Sequence, residues 1–216
     1  MTTTLQLLIG TAAISILANH FSRLKESMLF KPVRIKNNQE WYRFFTSGFI
    51  HADWEHLLFN LFSLYLFGTL VENAYQSESL FGSNGNSMYL IMYFSSIPFS
   101  LLYSYVKYRS KSNYASLGAS GAVSAVIFSA ILIDPTIQIG LFIFPPIIPG
   151  YVFGPLFIIL SIWMGKRGKD NINHAAHIGG ALYGCLFTTA AANFYNSPQQ
   201  PFNTFISILL KKLGLE

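Results

Sequence analysis

The stretch ASLGASGAVSAVIFSAILI, residues 115–133, runs its whole length without a charged side chain. About 20 apolar residues are needed for a helix to cross the hydrocarbon core of a bilayer, and this run comes close to that. Working outward from it, apolar runs cover residues 5–21, 49–71, 88–106, 151–165 and 175–194, and of these only 49–71 carries charge, at Asp53 and Glu55 near its start. The expected fold is therefore all-α: a membrane protein with a bundle of six transmembrane helices and a long first loop. A single domain covers 1–216, with its core at about 5–194.

Composition agrees with lipid as the solvent. The chain is 52% hydrophobic and 11% charged, whereas an ordinary soluble domain carries nearer a quarter charged residues. The formal charge of +5 does not point to nucleic acid, because the basic residues sit in short clusters between apolar runs, as they do beside membrane helices. The one cysteine, Cys185, lies inside an apolar run, which excludes a disulfide framework and a cysteine metal cluster. The first run begins at Leu5 with no basic residue before it and ends in Ala18-Asn19-His20. That is a poor cleavage site, so the run reads as a retained span.

Three connections stand out. The longest, residues 22–47, holds Trp41, Tyr42, Phe44 and Phe45, aromatics suited to the membrane interface. Residues 137–149 are apolar but interrupted by Pro145, Pro146 and Pro149, which a helix cannot run through, so an apolar surface loop is expected there. The tail places Phe202, Phe205, Ile206, Leu209, Leu210 and Leu213 at helical spacing beside Lys211 and Lys212. That pattern suits a short helix lying on the membrane over 202–216.

Polar residues inside spans are expensive, so their positions carry information. The second span opens with His51, His56 and Asn60, the fourth with Gly118, Ser120 and Gly121, and the sixth with His174 and His177. In a six-span chain the even-numbered spans all enter from one face. At about 1.5 Å per residue, Ser120 and His177 then lie roughly five residues inside, at similar depth. His56 and Asn60, four apart, share a helix face. Gly180 and Gly184 form a small-xxx-small pattern that lets another backbone come close, and Gly118 and Gly121 bracket Ser120 with minimal bulk. A serine hydroxyl becomes a nucleophile when an imidazole takes its proton. The oxyanion that follows attack on a carbonyl needs preorganised donors, which the Asn60 amide, the His56 ring and the Ser120 backbone N–H can supply. No acidic residue lies deep in the spans to orient His177, so the expected catalytic unit is a dyad.

The run Gly118-Ala119-Ser120-Gly121 resembles the G-x-S-G nucleophile motif of the rhomboid family of intramembrane serine proteases. His51, His56 and Asn60 match its H-x4-H-x3-N, and Ala176, His177, Gly180 and Gly184 its A-H-x2-G-x3-G. The three motifs occur in family order, and Gly68 and Glu72 fit a further G-x3-E. The resemblance implies Ser120 as nucleophile, His177 as base, His56 and Asn60 as oxyanion donors, and no cofactor or metal. It further implies transmembrane protein substrates cut within the lipid bilayer. Two positions depart from the pattern. Tyr42-Arg43 stands where Trp-Arg is usual, which bears on anchoring of the first loop. Ser124 replaces an aromatic that would lie under the catalytic histidine, so stacking on His177 from that helix is not expected. His51 reads as structural, His174 as a residue beside the surface, and His20 as interfacial.

Two other readings use the same residues: an inactive relative that binds membrane proteins, and a metal-dependent membrane protein built on His51, His56, His174 and His177. Orientation divides the indications. The connections after spans one, three and five carry 6, 3 and 3 Lys/Arg, against Lys211 and Lys212 on the other face. The positive-inside rule would turn the first group toward the cytoplasm. The resemblance turns that face outward, in a plasma (inner) membrane, with the N-terminus in the cytoplasm.

Overall fold

The structure, a computed structural model, describes residues 1–140, 147–168, 172–212 and 214–215. It is mostly helical, at 75%. Among the described residues the helices are α1 (Thr3–His20), α2 (Ser22–Met28), α3 (Pro32–Asn38), α4 (Arg43–Thr46), α5 (Trp54–Gln76), α6 (Gly85–Tyr108), α7 (Ser120–Ile133), α8 (Gly150–Arg167), α9 (His174–Phe194) and α10 (Pro201–Lys212).

Local chemistry explains where the long helices start. The first amides of α1, at Thr3 and Thr4, donate to the carboxylate of Glu72 at 2.6 and 2.9 Å. A negative charge is thus set at the positive end of that helix, which gives the G-x3-E glutamate a role. Gly68, one turn earlier on α5, makes room for the Tyr89 hydroxyl, which a Cβ there would meet at 2.5 Å. Helix α5 starts at Trp54, later than the expected 49, because Asp53 is extended and its carboxylate accepts the His56 amide at 2.7 Å as a cap. Helix α7 starts at Ser120, later than the expected 115, because Gly118 sits at φ +121°, outside helical geometry.

Helix α7 is the centre. It is 14 residues long and every residue from Gly121 to Leu132 is buried. It packs against α5, α6, α9 and α10. Its contact with α9 is backbone to backbone: a Cβ on Gly180 would stand 1.9 Å from the Gly121 carbonyl oxygen, and one on Gly184 would stand 2.1 Å from that of Ala125. Further along, Ser129 Oγ donates to the Gly184 carbonyl, Thr188 Oγ1 bonds Ser129 Oγ, and Tyr75 OH meets Thr188 Oγ1 at 2.7 Å. These hydroxyls tie α5, α7 and α9 together inside an apolar core.

The outer faces are apolar. Ile9 and Leu17 on α1, Leu58 and Tyr65 on α5, Val106 on α6, Ile159 and Trp163 on α8 and Leu182 on α9 are all exposed. A soluble protein rarely exposes apolar surface on every side; a bilayer would cover it. By length and apolarity alone, Trp54–Gln76 and Gly82–Tyr108 are sufficient to cross a membrane, while Ser120–Ile133 is apolar but shorter. Helix α9 makes its contacts with α7 through Gly180, Gly184 and Thr188, which lowers its apolarity.

The long first loop is helical, as α2 to α4, and Arg43 is its anchor. This side chain is 1% exposed. It donates to the carbonyls of Glu26 and Leu29 at 3.0 and 2.8 Å and pairs with Glu40. Trp41 stacks on Phe44 instead of entering the core. In the proline-rich connection, Gln138–Ile139 pairs antiparallel with Ile148–Pro149, and the part at 141–146 lies outside the described residues. The tail forms α10 against α7 and α9, with Pro201 buried, Phe205 on the core and Phe202 exposed.

Candidate active site

The turn leading into Ser120 is held from three directions. The Gly118 amide donates to the Ser47 carbonyl at 2.9 Å. The Ala119 amide donates to His51 Nε2 at 3.3 Å, and His51 Nδ1 lies 3.2 Å from Ser15 Oγ on α1. Because Nε2 accepts, the ring proton sits on Nδ1 and points at Ser15, which fixes the neutral tautomer. His51, fully buried, thus connects α1 to the residue before Ser120. From α5, the His56 ring occupies the space that a Cβ on Gly118 would need, with Cε1 and Nε2 at 2.7 and 2.9 Å from it. Glycine is required there twice over, for its φ and for the imidazole.

Asn60 is 3% exposed and its Nδ2 donates to the His56 carbonyl at 2.8 Å. An amide nitrogen carries two hydrogens, so a second donor remains on the face shared with His56. The two histidine rings of this segment, His51 and His56, meet edge to face at 5.0 Å.

Helix α9 supplies the imidazole. Its cap, Asn173, was not singled out in the sequence, although an Asn before an apolar run is a helix-start signal. Asn173 Oδ1 accepts from the Ala176 amide at 3.2 Å and from Ser104 Oγ at 3.1 Å, and Nδ2 reaches Ser116 Oγ at 3.4 Å. One side chain therefore joins α6, α9 and the turn before Ser120. His177 follows on the first turn, three residues before the Gly180 contact with Gly121. Ser124 puts no ring on α7, but Phe157 from α8 does the equivalent, 6.0 Å from His177 at 31° to its plane. His174, the first residue of α9, packs edge-on to His177 at 5.8 Å and is 7% exposed.

Ser120 is the first residue of α7 rather than roughly the fifth of a longer helix. Its proximity to the start of α9 comes from the contact of Gly121 with Gly180. Beside Ser120 lies a cavity of about 10 Å³ whose lining includes Ser47, Ser100, Ser116 and Asn173, about the space of one water. The Ser47 hydroxyl is buried there without a hydrogen-bond partner.

The family model for the rhomboid domain matches residues 38–194, most of the chain. The chain belongs to the rhomboid family. Among curated rhomboids it is 30% identical over 186 residues to Rhomboid-like protein 11, chloroplastic, of Arabidopsis thaliana, covering 82% of this chain and 61% of that one. It is 29% identical to RHOMBOID-like protein 12, mitochondrial, of the same plant, covering 65% and 44%. It is 24% identical to Rhomboid protease AarA of Providencia stuartii, covering 70% and 56%. The chain thus spans roughly half the length of these relatives. Two are named for chloroplast and mitochondrion, which leaves the expected plasma-membrane location without support.

The rhomboid match takes in Arg43, His51, His56, Asn60, Ser120 and His177 together. Among the described residues, no three His, Cys, Asp or Glu side chains group as metal ligands would; four of the five histidines fall into two pairs, His51 with His56 and His174 with His177, and His20 lies on α1.

Proposed function

We propose that this rhomboid is an intramembrane serine endopeptidase of six crossings, α1, α5, α6, α7, α8 and α9, in one domain, cutting transmembrane protein substrates with a Ser120–His177 dyad. The observation that carries this reading is the contact of Gly121 with Gly180. It puts the first turn of α7, bearing Ser120, against the first turn of α9, bearing His177.

Ser120 Oγ attacks the scissile carbonyl carbon while His177 takes the hydroxyl proton. The carbonyl π electrons move onto oxygen. The first amides of a helix have no intrahelical partners, so the Ser120 N–H at the head of α7 is a ready donor to that oxyanion. The second Nδ2 hydrogen of Asn60 and the His56 ring approach from α5. Collapse of the tetrahedral intermediate breaks the C–N bond, and His177 returns its proton to the leaving amine. Water, deprotonated by His177, then adds to the acyl carbon, the bond to Ser120 Oγ breaks, and His177 returns the proton to Oγ as the acid leaves.

The test is incubation of the protein, reconstituted in vesicles, with a single-span substrate. Wild type should cut it and be labelled at Ser120 by a fluorophosphonate. Ser120→Ala should do neither while unfolding at the same temperature. Cleavage at the wild-type rate by the alanine variant would remove the assignment.

A further inference from the structure

On the face where α6 and α8 end, a cleft of about 760 Å³ opens across the first turn of α9. It adjoins the small cavity beside Ser120, sharing Ser116 and Asn173 with it, but Ser120 itself is not among its lining residues. Lys107 on α6 and Lys166 on α8 line it, together with Tyr103, Tyr108 and Tyr114. No acidic residue lines it among the described residues, and neither lysine belongs to an ion pair there. The Lys107 ammonium lies 5.4 and 5.2 Å from the ring centres of Tyr103 and Tyr108, which holds it at the rim. The positive end of α9 forms the back wall, adding to the attraction for an anion.

The walls change character along the helix axes. Within the cleft Ile162, Met164 and Ile178 contribute apolar surface. Immediately outside, Leu102 and Val106 on α6 and Ile159 and Trp163 on α8 are exposed. A free anion would use only the rim and a soluble peptide would leave the walls uncovered. A molecule with a charged head and long apolar chains matches both.

We propose that this cleft binds the phosphate-bearing headgroup of an anionic phospholipid, with its acyl chains lying along α6 and α8. The proposal rests on the membrane-spanning reading but not on the catalytic one. Near a membrane surface, each lysine is worth roughly a fivefold gain in affinity for anionic lipid.

The chain has three tryptophans, and Trp163 sits between two cleft residues. With Trp41→Phe and Trp54→Phe, the full chain carries one reporter at the site. It is reconstituted in phosphatidylcholine vesicles containing a minor fraction of a lipid brominated on its acyl chains, either phosphatidylglycerol or phosphatidylcholine. Brominated phosphatidylglycerol should quench Trp163 severalfold more strongly at equal mole fraction. Lys107→Gln with Lys166→Gln should abolish that preference, and Lys107→Arg with Lys166→Arg should keep it. Equal quenching by the two lipids, or a preference that survives the glutamine pair, overturns the site. Loss of the preference on adding inorganic phosphate overturns the lipid assignment in favour of a bare phosphate site. Quenching by neither lipid means that α8 is not in the bilayer, and the membrane reading fails with the proposal.

Discussion

Gly121 and Gly180 touch through their backbones, so that a single added carbon on Gly180 would lie 1.9 Å from the Gly121 carbonyl oxygen. The obstacle is main chain on a buried helix, which cannot turn aside as a side chain can. Gly180→Ala should push α9 away from α7, costing about 1–3 kcal/mol for overpacking and separating Ser120 from His177. Gly10, on α1 with no atom within 4 Å of its would-be Cβ, is the control. Gly10→Ala should be neutral or stabilising by up to about 1 kcal/mol. Thermal unfolding and cleavage measured on both variants decide it; equal behaviour would mean that the close approach is not required.

The spacing of Gly180 and Gly184 made this contact legible in the sequence, because small residues one turn apart have few other uses in an apolar helix. The three polar clusters were legible for a similar reason, since histidine, asparagine and serine are costly in such runs. What the sequence could not give was the partner of each group. His51 reaches Ser15 and the Ala119 amide, 36 and 68 residues away, and its motif says nothing of either. The ring beside His177 comes from Phe157 on another helix, where no spacing rule applies. Counting inward from the expected helix starts also misplaced Ser120, because the Asp53 cap and the positive φ of Gly118 delay α5 and α7.

The role of His51 as a brace gives a second expectation. His51→Ala leaves the Ala119 amide and the Ser15 hydroxyl buried without partners, and such orphans cost about 1–3 kcal/mol each. Stability should fall, and turnover should fall with little change in KM, because the turn bearing Ser120 loses its tether while His51, fully buried, offers no surface to a substrate. An unchanged melting temperature would show that the turn is held by other contacts.

His56 and Asn60 are expected to act on the transition state. Loss of one oxyanion donor in serine proteases costs about 100- to 1,000-fold in turnover. Asn60→Ala should keep weak activity, since the Ser120 amide and His56 remain. His56→Ala should be at least as damaging. Steady-state kinetics on a single-span substrate tests both, and slowing of less than about twofold in each would reduce them to packing groups.

The first loop should respond to acid through Glu40. The Arg43 guanidinium beside it is the main reason its carboxyl titrates below the usual carboxylate range. A carboxyl with a lowered folded-state pKa stabilises the fold fully above its unfolded value, near 4.5, and loses that contribution as pH falls through the folded value. Melting temperature should therefore drop more steeply in wild type than in Glu40→Gln below about pH 4.5. Parallel acid curves would mean that Arg43 is held by the Glu26 and Leu29 carbonyls alone.

Substrate choice follows from where Ser120 stands. Helix α7 has 14 residues, about 21 Å at 1.5 Å per residue, against a hydrocarbon core of about 30 Å. On the proposed membrane-spanning reading, with α7 centred in the core, its first residue would lie about 5 Å below the hydrocarbon edge, and a substrate would have to present an open backbone at that depth. A transmembrane helix keeps its carbonyls in internal hydrogen bonds, and lipid offers no replacement partners. Glycine and proline near the end of a substrate's span lower the cost of unwinding by about 1 and 3 kcal/mol per residue relative to alanine. The preferred substrates should then be single-span proteins with small or helix-breaking residues near the face shared with Ser120. Two substrates differing only in that segment, one with Gly and Pro and one with Leu throughout, measure the effect. The leucine version should be cut much more slowly, with the loss mainly in kcat, because binding of the intact helix is retained while its opening is not. Equal rates for the pair would show that helix opening does not limit the reaction, and would move recognition to the loops around α2 to α4.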